Sequence, residues 1–209
     1  MVAATSLEAE QRMVLSGVSW KVYALLRDAI DTPLLRMTYC EGDLELTSPS
    51  REHELKKKTT ARLLEIHAFL LGLPLIGYGS TTFRREAKAR GAEPDECYRV
   101  GSQMKDGEFP DIVLEIIETS PILDKLAVYD GFEVPEVWLF EQGVFAIHRR
   151  KVNGGYAAIR RSRFFPELDF KVLARFAARM DQDVALQEFA AHVKNKSGRR
   201  PKKKRSRKR

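Results

Sequence analysis

Apolar positions along the chain switch between two periods, and the switches mark its elements. Residues 19–30 (SWKVYALLRDAI) repeat at helical spacing, with Val22, Leu25, Leu26 and Ile30 on one face and Ser19 as the cap. From Leu34 the period drops to two. LLRMTYC, a Glu41-Gly42 turn and the strictly alternating DLELT predict a hairpin. Ser48-Pro49-Ser50 closes it, and Ser50 caps a second helix carrying Leu55, Leu63, Leu64, Ile66 and Leu70 as far as Gly72-Leu73-Pro74. LIGYGSTTFRREAKARG then reads as a strand entering a charged loop, and residues 93–100 as a short strand with Asp95 near its start. Residues 109–118 (FPDIVLEIIE) are too short and too rich in branched residues for a helix, and predict a buried strand. Ser120 and Pro121 look like the cap and first residue of a helix reaching about Phe132. A hairpin about Gln142-Gly143, an outer strand at 155–159 and helices near 170–179 and 182–193 follow, while residues 1–16 carry no clear pattern. The order predicts an α/β domain, a mixed central β-sheet flanked by helices, with no internal repeat.

At 209 residues the chain has length for one domain with a real core, assigned here to residues 1–193. No run is apolar enough to span a bilayer and the first residues lack a signal-peptide pattern, so a cytoplasmic protein without a membrane partner is expected. Cys40 and Cys97 lack metal-site spacing and read as reduced thiols. The formal charge of +7 changes meaning once located. Residues 194–209 hold eleven basic residues and no acidic one, leaving 25 basic against 29 acidic in the body. A run of that kind repels itself and reads as a disordered basic tail, either a sequence-blind binder of phosphates or a merely solubilising terminus.

The candidate chemistry is acidic. Glu115 lies inside the buried strand, where a bare carboxylate is costly. Either an Arg or Lys pairs with it, or a divalent cation bridges it to Asp95; the pattern alone leaves both open. Asp111, four residues away on the same strand, would sit about 13 Å from Glu115, too far to share an ion, and reads as a strand-entry residue. Asp95, on a neighbouring strand, can come within one sheet spacing of about 4.8 Å. Such hard oxygens suit Mg²⁺ or Mn²⁺ rather than zinc. Lys125, one turn into the following helix, could neutralise charge or orient a water, or could simply be solvated. His53 and Glu54 could supply a base or an outer ligand, though a solvent-facing helix start explains them as well. His67, His148 and His192 show no ligand spacing, and Tyr98, Tyr129 and Trp138 read as core aromatics. Motifs for a serine nucleophile, a phosphate-cradling loop or a dinucleotide fold are missing.

Six fragments in order carry a resemblance: Glu41–Pro49 (EGDLELTSP) with His53 after it, Gly79–Arg84 (GSTTFR), Glu93–Tyr98 (EPDECY), Pro110–Ile116 (PDIVLEI), Asp124–Tyr129 (DKLAVY) and Val134–Trp138 (VPEVW). Together they resemble the Uma-two family of restriction-type endonucleases, within the PD-(D/E)XK nuclease superfamily, over about residues 35–176. The resemblance implies a restriction-endonuclease-like core and Mg²⁺-dependent hydrolysis of DNA phosphodiesters. Asp95 and Glu115 would be the metal ligands, with a backbone carbonyl near Ile116. The superfamily lysine would fall at Ile117, and its displacement to Lys125 is what the resemblance suggests. Glu54 would be the first-helix acid that some members use. Cutting both strands would call for paired sites, hence a homodimer. The rival expectation is a non-cleaving nucleic-acid- or partner-binding module on the same fold, favoured by Ile117 and the acidic body.

Overall fold

The computed structural model describes residues 9–30, 32, 34–119 and 122–198, with side chains to 196. Two sheets form the scaffold where a single one was expected. The first is antiparallel and contains β1 (Gln11–Leu15), β2 (Arg36–Cys40), β3 (Asp43–Ser48), β5 (Phe83–Arg85) and β6 (Arg90–Ala92), in the order β1-β3-β2-β6-β5. The second contains β4 (Leu75–Gly77), β7 (Glu96–Val100), β8 (Ile112–Ile117), β9 (Glu136–Glu141), β10 (Val144–Arg150) and β11 (Tyr156–Ile159), in the order β11-β10-β9-β8-β7-β4. It is the expected mixed sheet: β8 and β9 run parallel, joined through the helix α3 (Lys125–Gly131), and the other pairs are antiparallel.

The hairpin turns are where the pattern puts them. Glu41 and Gly42 have φ of 50° and 104°, and Gln142 and Gly143 have 48° and 77°. Positive φ at both central residues gives the turn whose twist matches the strands it joins. Ser19 Oγ accepts from the Val22 amide to cap α1 (Trp20–Ala29), and Ser50 Oγ accepts from the His53 amide to cap α2 (Arg51–Leu71). Gly72, at φ 64°, ends α2 in a left-handed turn.

Three layers of apolar contact hold the sheets. The helices α2, α4 (Phe170–Ala177) and α5 (Gln182–Gly198) cover one face of the second sheet, around Leu114, Ile116, Trp138 and Phe140. Its other face packs Cys97, Val113 and Val137 against Val128, Tyr129, Phe132, Phe83 and Ala92. On the far side α1 covers the first sheet, with Tyr23 stacked on Tyr39 at 4.8 Å between ring centroids. The face expected for α1 is therefore rotated: Tyr23 is its buried residue, with Leu26 and Ile30 packed partly against the same cluster, whereas Val22 and Leu25 are exposed. The aromatic floor of the sheet selects the ring. Gly91 makes room for it, since a Cβ there would lie 2.1 Å from Tyr23 Oη.

Other expectations shift. The segment 75–92 divides between the two sheets through β4, β5 and β6, because β6 pairs with β2 at Tyr39↔Gly91, a partner distant in sequence. The third helix begins with Asp124 as its cap; Ser120 and Pro121 lie outside the described residues. Glu45 Oε2 accepts from the Leu123 amide, which holds that residue outside the helix. Five residues of the expected tail, 194–198, belong to α5, and residues 199–209 lie outside the described ones. Cys40 and Cys97 are free thiols, and no described helix is long and apolar enough to cross a membrane.

His67, buried between α2 and α5, has no hydrogen bond on either ring nitrogen and sits near the Phe165 and Phe189 rings. Burial pushes its imidazole down to about 4, with Lys196 adding to the effect. The folded state thus binds this proton later than the unfolded chain does, so the stability tied to His67 is complete above about pH 6.5 and is lost as pH falls towards 4. Urea unfolding from pH 7 to pH 4 should show a shallower loss of stability in His67→Leu than in wild type.

Candidate active site

The chain passes from one sheet to the other in three residues, Glu93, Pro94 and Asp95, between the end of β6 and the start of β7. Glu93 stays with the first sheet, accepting from the Met37 amide at 3.2 Å and the Thr82 hydroxyl at 2.8 Å, and pairing with Arg27 at 2.6 Å. Asp95 belongs to the second. The β7–β8 register pairs Glu96 with Leu114, so the next rung sets Asp95 opposite Glu115. Opposed residues of an antiparallel pair share a face. On β8 the alternation turns Leu114 and Ile116 toward the helical layer, and Val113 and Glu115 toward α3 and the first sheet. Asp95 Oδ2 accepts the Ile116 amide at 2.6 Å, taking a ladder position just beyond the strand's end. Asp95 is 1% exposed and Glu115 4%.

Charges of that kind need partners. Those of Asp95 come from β2 and α2. The Arg36 guanidinium touches Asp95 Oδ1 with Nη1 and reaches Glu54 Oε1 with Nη2 at 2.7 Å, while His53 Nε2 lies 2.8 Å from the same Oδ1. Those of Glu115 come from α3: Tyr129 donates its hydroxyl to Oε1, and Lys125 Nζ stands 3.4 Å from that oxygen and 3.4 Å from the Thr38 hydroxyl. Lys125 and Tyr129 are one helical turn apart, which brings both to one oxygen. Burial, and then the Glu115 charge, push the Tyr129 phenol well above its ordinary value, so it remains a donor.

An outer ring continues the network. His53 Nδ1 lies 3.3 Å from Glu10 Oε2; Glu10 pairs with Arg12, and Arg12 with Glu45 at 2.5 Å. Burial would raise the Glu10 carboxyl, but His53 and Arg12 outweigh it and hold it below the ordinary range. Glu54 follows the same balance: burial lifts it, while Lys57 at 2.6 Å and Arg36 bring it down.

A groove of about 510 Å³, lined by Arg27, Arg36, Glu54, Lys57, Ser80 and Glu93 among others, opens beside Arg36. It shares Leu34, Pro49, Glu54, Lys57 and Ser80 with a wider one of about 800 Å³, along the first turns of α2, where Arg51 and Lys58 add positive charge.

Of the residues singled out in the sequence, Asp95, Glu115 and Lys125 come together, and Ile116 joins them through its amide. Glu54 stands one step back, linked to Asp95 through Arg36. His53 points inward to Asp95, not to solvent. Asp111 serves at the strand entry, accepting from the Val100 amide at 2.9 Å. Arg36 and Tyr129 were not anticipated as site residues, nor were Glu10, Arg12 and Glu45. Only the Lys125/Tyr129 spacing offered a signal. Among the described residues no three His, Cys, Asp or Glu side chains gather as a metal cluster, so any metal would rest on the two acids. That pair suits a hard cation: both are carboxylates, they face the same way, and no described residue donates to Glu115 Oε2.

The profile of a family described as "Uma2: Putative restriction endonuclease" matches residues 20–180. The chain belongs to the Uma2 family. The match takes in every residue of the inner site, from Arg36 to Tyr129. Among solved structures, this Uma2 chain is similar to one described as a "putative nuclease belonging to DUF820" from Anabaena variabilis ATCC 29413. The two share 14% identity with a TM-score of 0.44, over 66% of this chain and 90% of the other. No curated protein matches.

Replacing Tyr129 by Phe removes the hydroxyl donor to a buried carboxylate. It should lower stability by about 1–3 kcal/mol in urea unfolding at neutral pH.

Proposed function

We propose that this Uma2 protein is a divalent-metal-dependent endonuclease hydrolysing phosphodiester bonds in DNA. The observation that carries the proposal is the pairing of Asp95 with Glu115 across β7 and β8, on the face that Lys125 reaches. Asp95 and Glu115 would hold Mg²⁺ or Mn²⁺, with the Ile116 backbone beside them; the ion's part is to polarise the phosphoryl oxygen and acidify a water.

The chain's own groups do the rest. Tyr129 keeps the Glu115 carboxylate in one orientation, so that a ligand geometry need not be ordered when the ion arrives. Lys125, held between Glu115 and Thr38, supplies the fixed positive charge that the superfamily places two residues after the acid, where Ile117 now packs in the core. From there its ammonium can steer the attacking water and offset charge building on the phosphate. His53 fixes Asp95 at the oxygen that Arg36 also meets, and Glu10 fixes His53. Arg51, Lys57 and Lys58 along the groove offer contacts to backbone phosphates without reading bases. Cleavage of both strands would then need a second copy or a second visit. The basic residues beyond 198 would add salt-sensitive affinity.

Supercoiled plasmid should be nicked by the purified protein with Mg²⁺ or Mn²⁺ and left intact with EDTA. In Glu115→Ala the rate should drop by at least about two orders of magnitude, the scale on which single catalytic groups act. Equal cleavage by the variant would remove Glu115 from the reaction. Metal-independent binding of DNA, with no cleavage by wild type, would instead support the non-cleaving module.

A further inference from the structure

We propose that Arg36 is a displaceable counter-cation of Asp95, occupying the acidic site from the groove side until a divalent cation replaces it, with Glu54 as the partner it falls back on. The proposal rests on the metal-nuclease reading above and adds a positioning residue to it.

Three observations carry it. The guanidinium is shared, one arm on Asp95 Oδ1 and the other on Glu54 Oε1 at 2.7 Å. The two acids differ in surroundings: the Asp95 side chain is 1% exposed, whereas that of Glu54 is 45% exposed and is already held by Lys57. Arg36 and Glu54 line the groove, while Asp95, Glu115 and Lys125 do not, so Arg36 is a groove residue whose guanidinium reaches in to Asp95.

The physical consequence follows from the nature of the groups. Arginine does not give up its proton, so it cannot make way for a second cation by neutralising. A divalent ion at Asp95 meets it as a like charge, repelled strongly because the site is buried. Movement is the remaining course. Glu54 lets the guanidinium leave Asp95 without losing every carboxylate, which keeps the cost of the exchange low, and it leaves Arg36 on the groove wall, facing where a phosphate would lie. Metal binding and the opening of the site toward the groove are then one event.

The test is Mn²⁺ titration of the full chain by calorimetry, without nucleic acid. Wild type is compared with Arg36→Gln, Glu54→Gln, the double variant, and Asp95→Asn as the control that removes the ligand. Removing one unit of competing charge should tighten Mn²⁺ binding by about ten-fold in Arg36→Gln, and losing the fallback partner should weaken it by about three-fold or more in Glu54→Gln. If Glu54 acts through Arg36, the double variant should match Arg36→Gln. Arg36→Lys keeps the charge but not the two-armed reach, and should fall between wild type and Arg36→Gln. It serves where Arg36→Gln does not give a folded protein by circular dichroism. Unchanged or weaker binding in the Arg36 variants, with Asp95→Asn still abolishing it, overturns the proposal. A double variant well below Arg36→Gln makes Glu54 a ligand and overturns its fallback role. No Mn²⁺ binding by wild type removes the metal reading itself, and this proposal with it.

Discussion

Two carboxylates buried against each other between two sheets set the terms for the rest of this molecule. Left alone they would cost several kcal/mol each, far more than a domain of this size can spare. The structure meets them from three directions: Arg36 from β2, His53 from the start of α2, and Lys125 with Tyr129 from α3. None of these elements could move independently without stranding a charge. The network that neutralises the site therefore also docks the first sheet and α3 onto the second sheet.

The first sheet can do this because its two faces serve different neighbours. Along β2, Met37 and Tyr39 go to α1, while Arg36 goes to Asp95 and Thr38 to Lys125; along β3, Leu44 goes to α1 and Glu45 to Arg12 and the Leu123 amide. The strict alternation of these strands thus has a polar side that is not a solvent side. A slip of one residue in β2 would bury Arg36 against Tyr23 and leave Asp95 facing an apolar side chain. The register is held by charge as much as by packing.

This accounts for what could and could not be read from the sequence. The hairpin turn at Glu41-Gly42, the caps at Ser19 and Ser50 and the strand around Glu115 are local signals, and they appear where expected. Asp95, Glu115 and Lys125 were legible because a carboxylate in an apolar strand asks for an explanation. The separate antiparallel sheet was not legible, since it depends on β6 finding β2 about fifty residues earlier in the chain, and no periodicity encodes that pairing. Arg36 was missed for the same reason: an arginine in an alternating strand looks solvated until its partner, Asp95, is brought to it. Tyr129 looked like a core aromatic, and it is one, with its hydroxyl donated to Glu115 Oε1. The start of α3 moved because Glu45, from another sheet, holds the Leu123 amide.

The Asp95 carboxylate has one oxygen toward Arg36 and His53 and the other on the Ile116 amide, a ladder position just beyond the end of β7. Fold and the proposed chemistry thus draw on the same side chain. In relatives without the proposed reaction, selection for a well-formed sheet alone would still favour Asp, or Asn with its amide oxygen, at this position, while Glu115 and Lys125 would be freer to drift. Persistence of the first acid across relatives is then a poor witness to activity. Joint persistence of Glu115 and Lys125, which take no comparable part in the ladder through their side chains, is the better one.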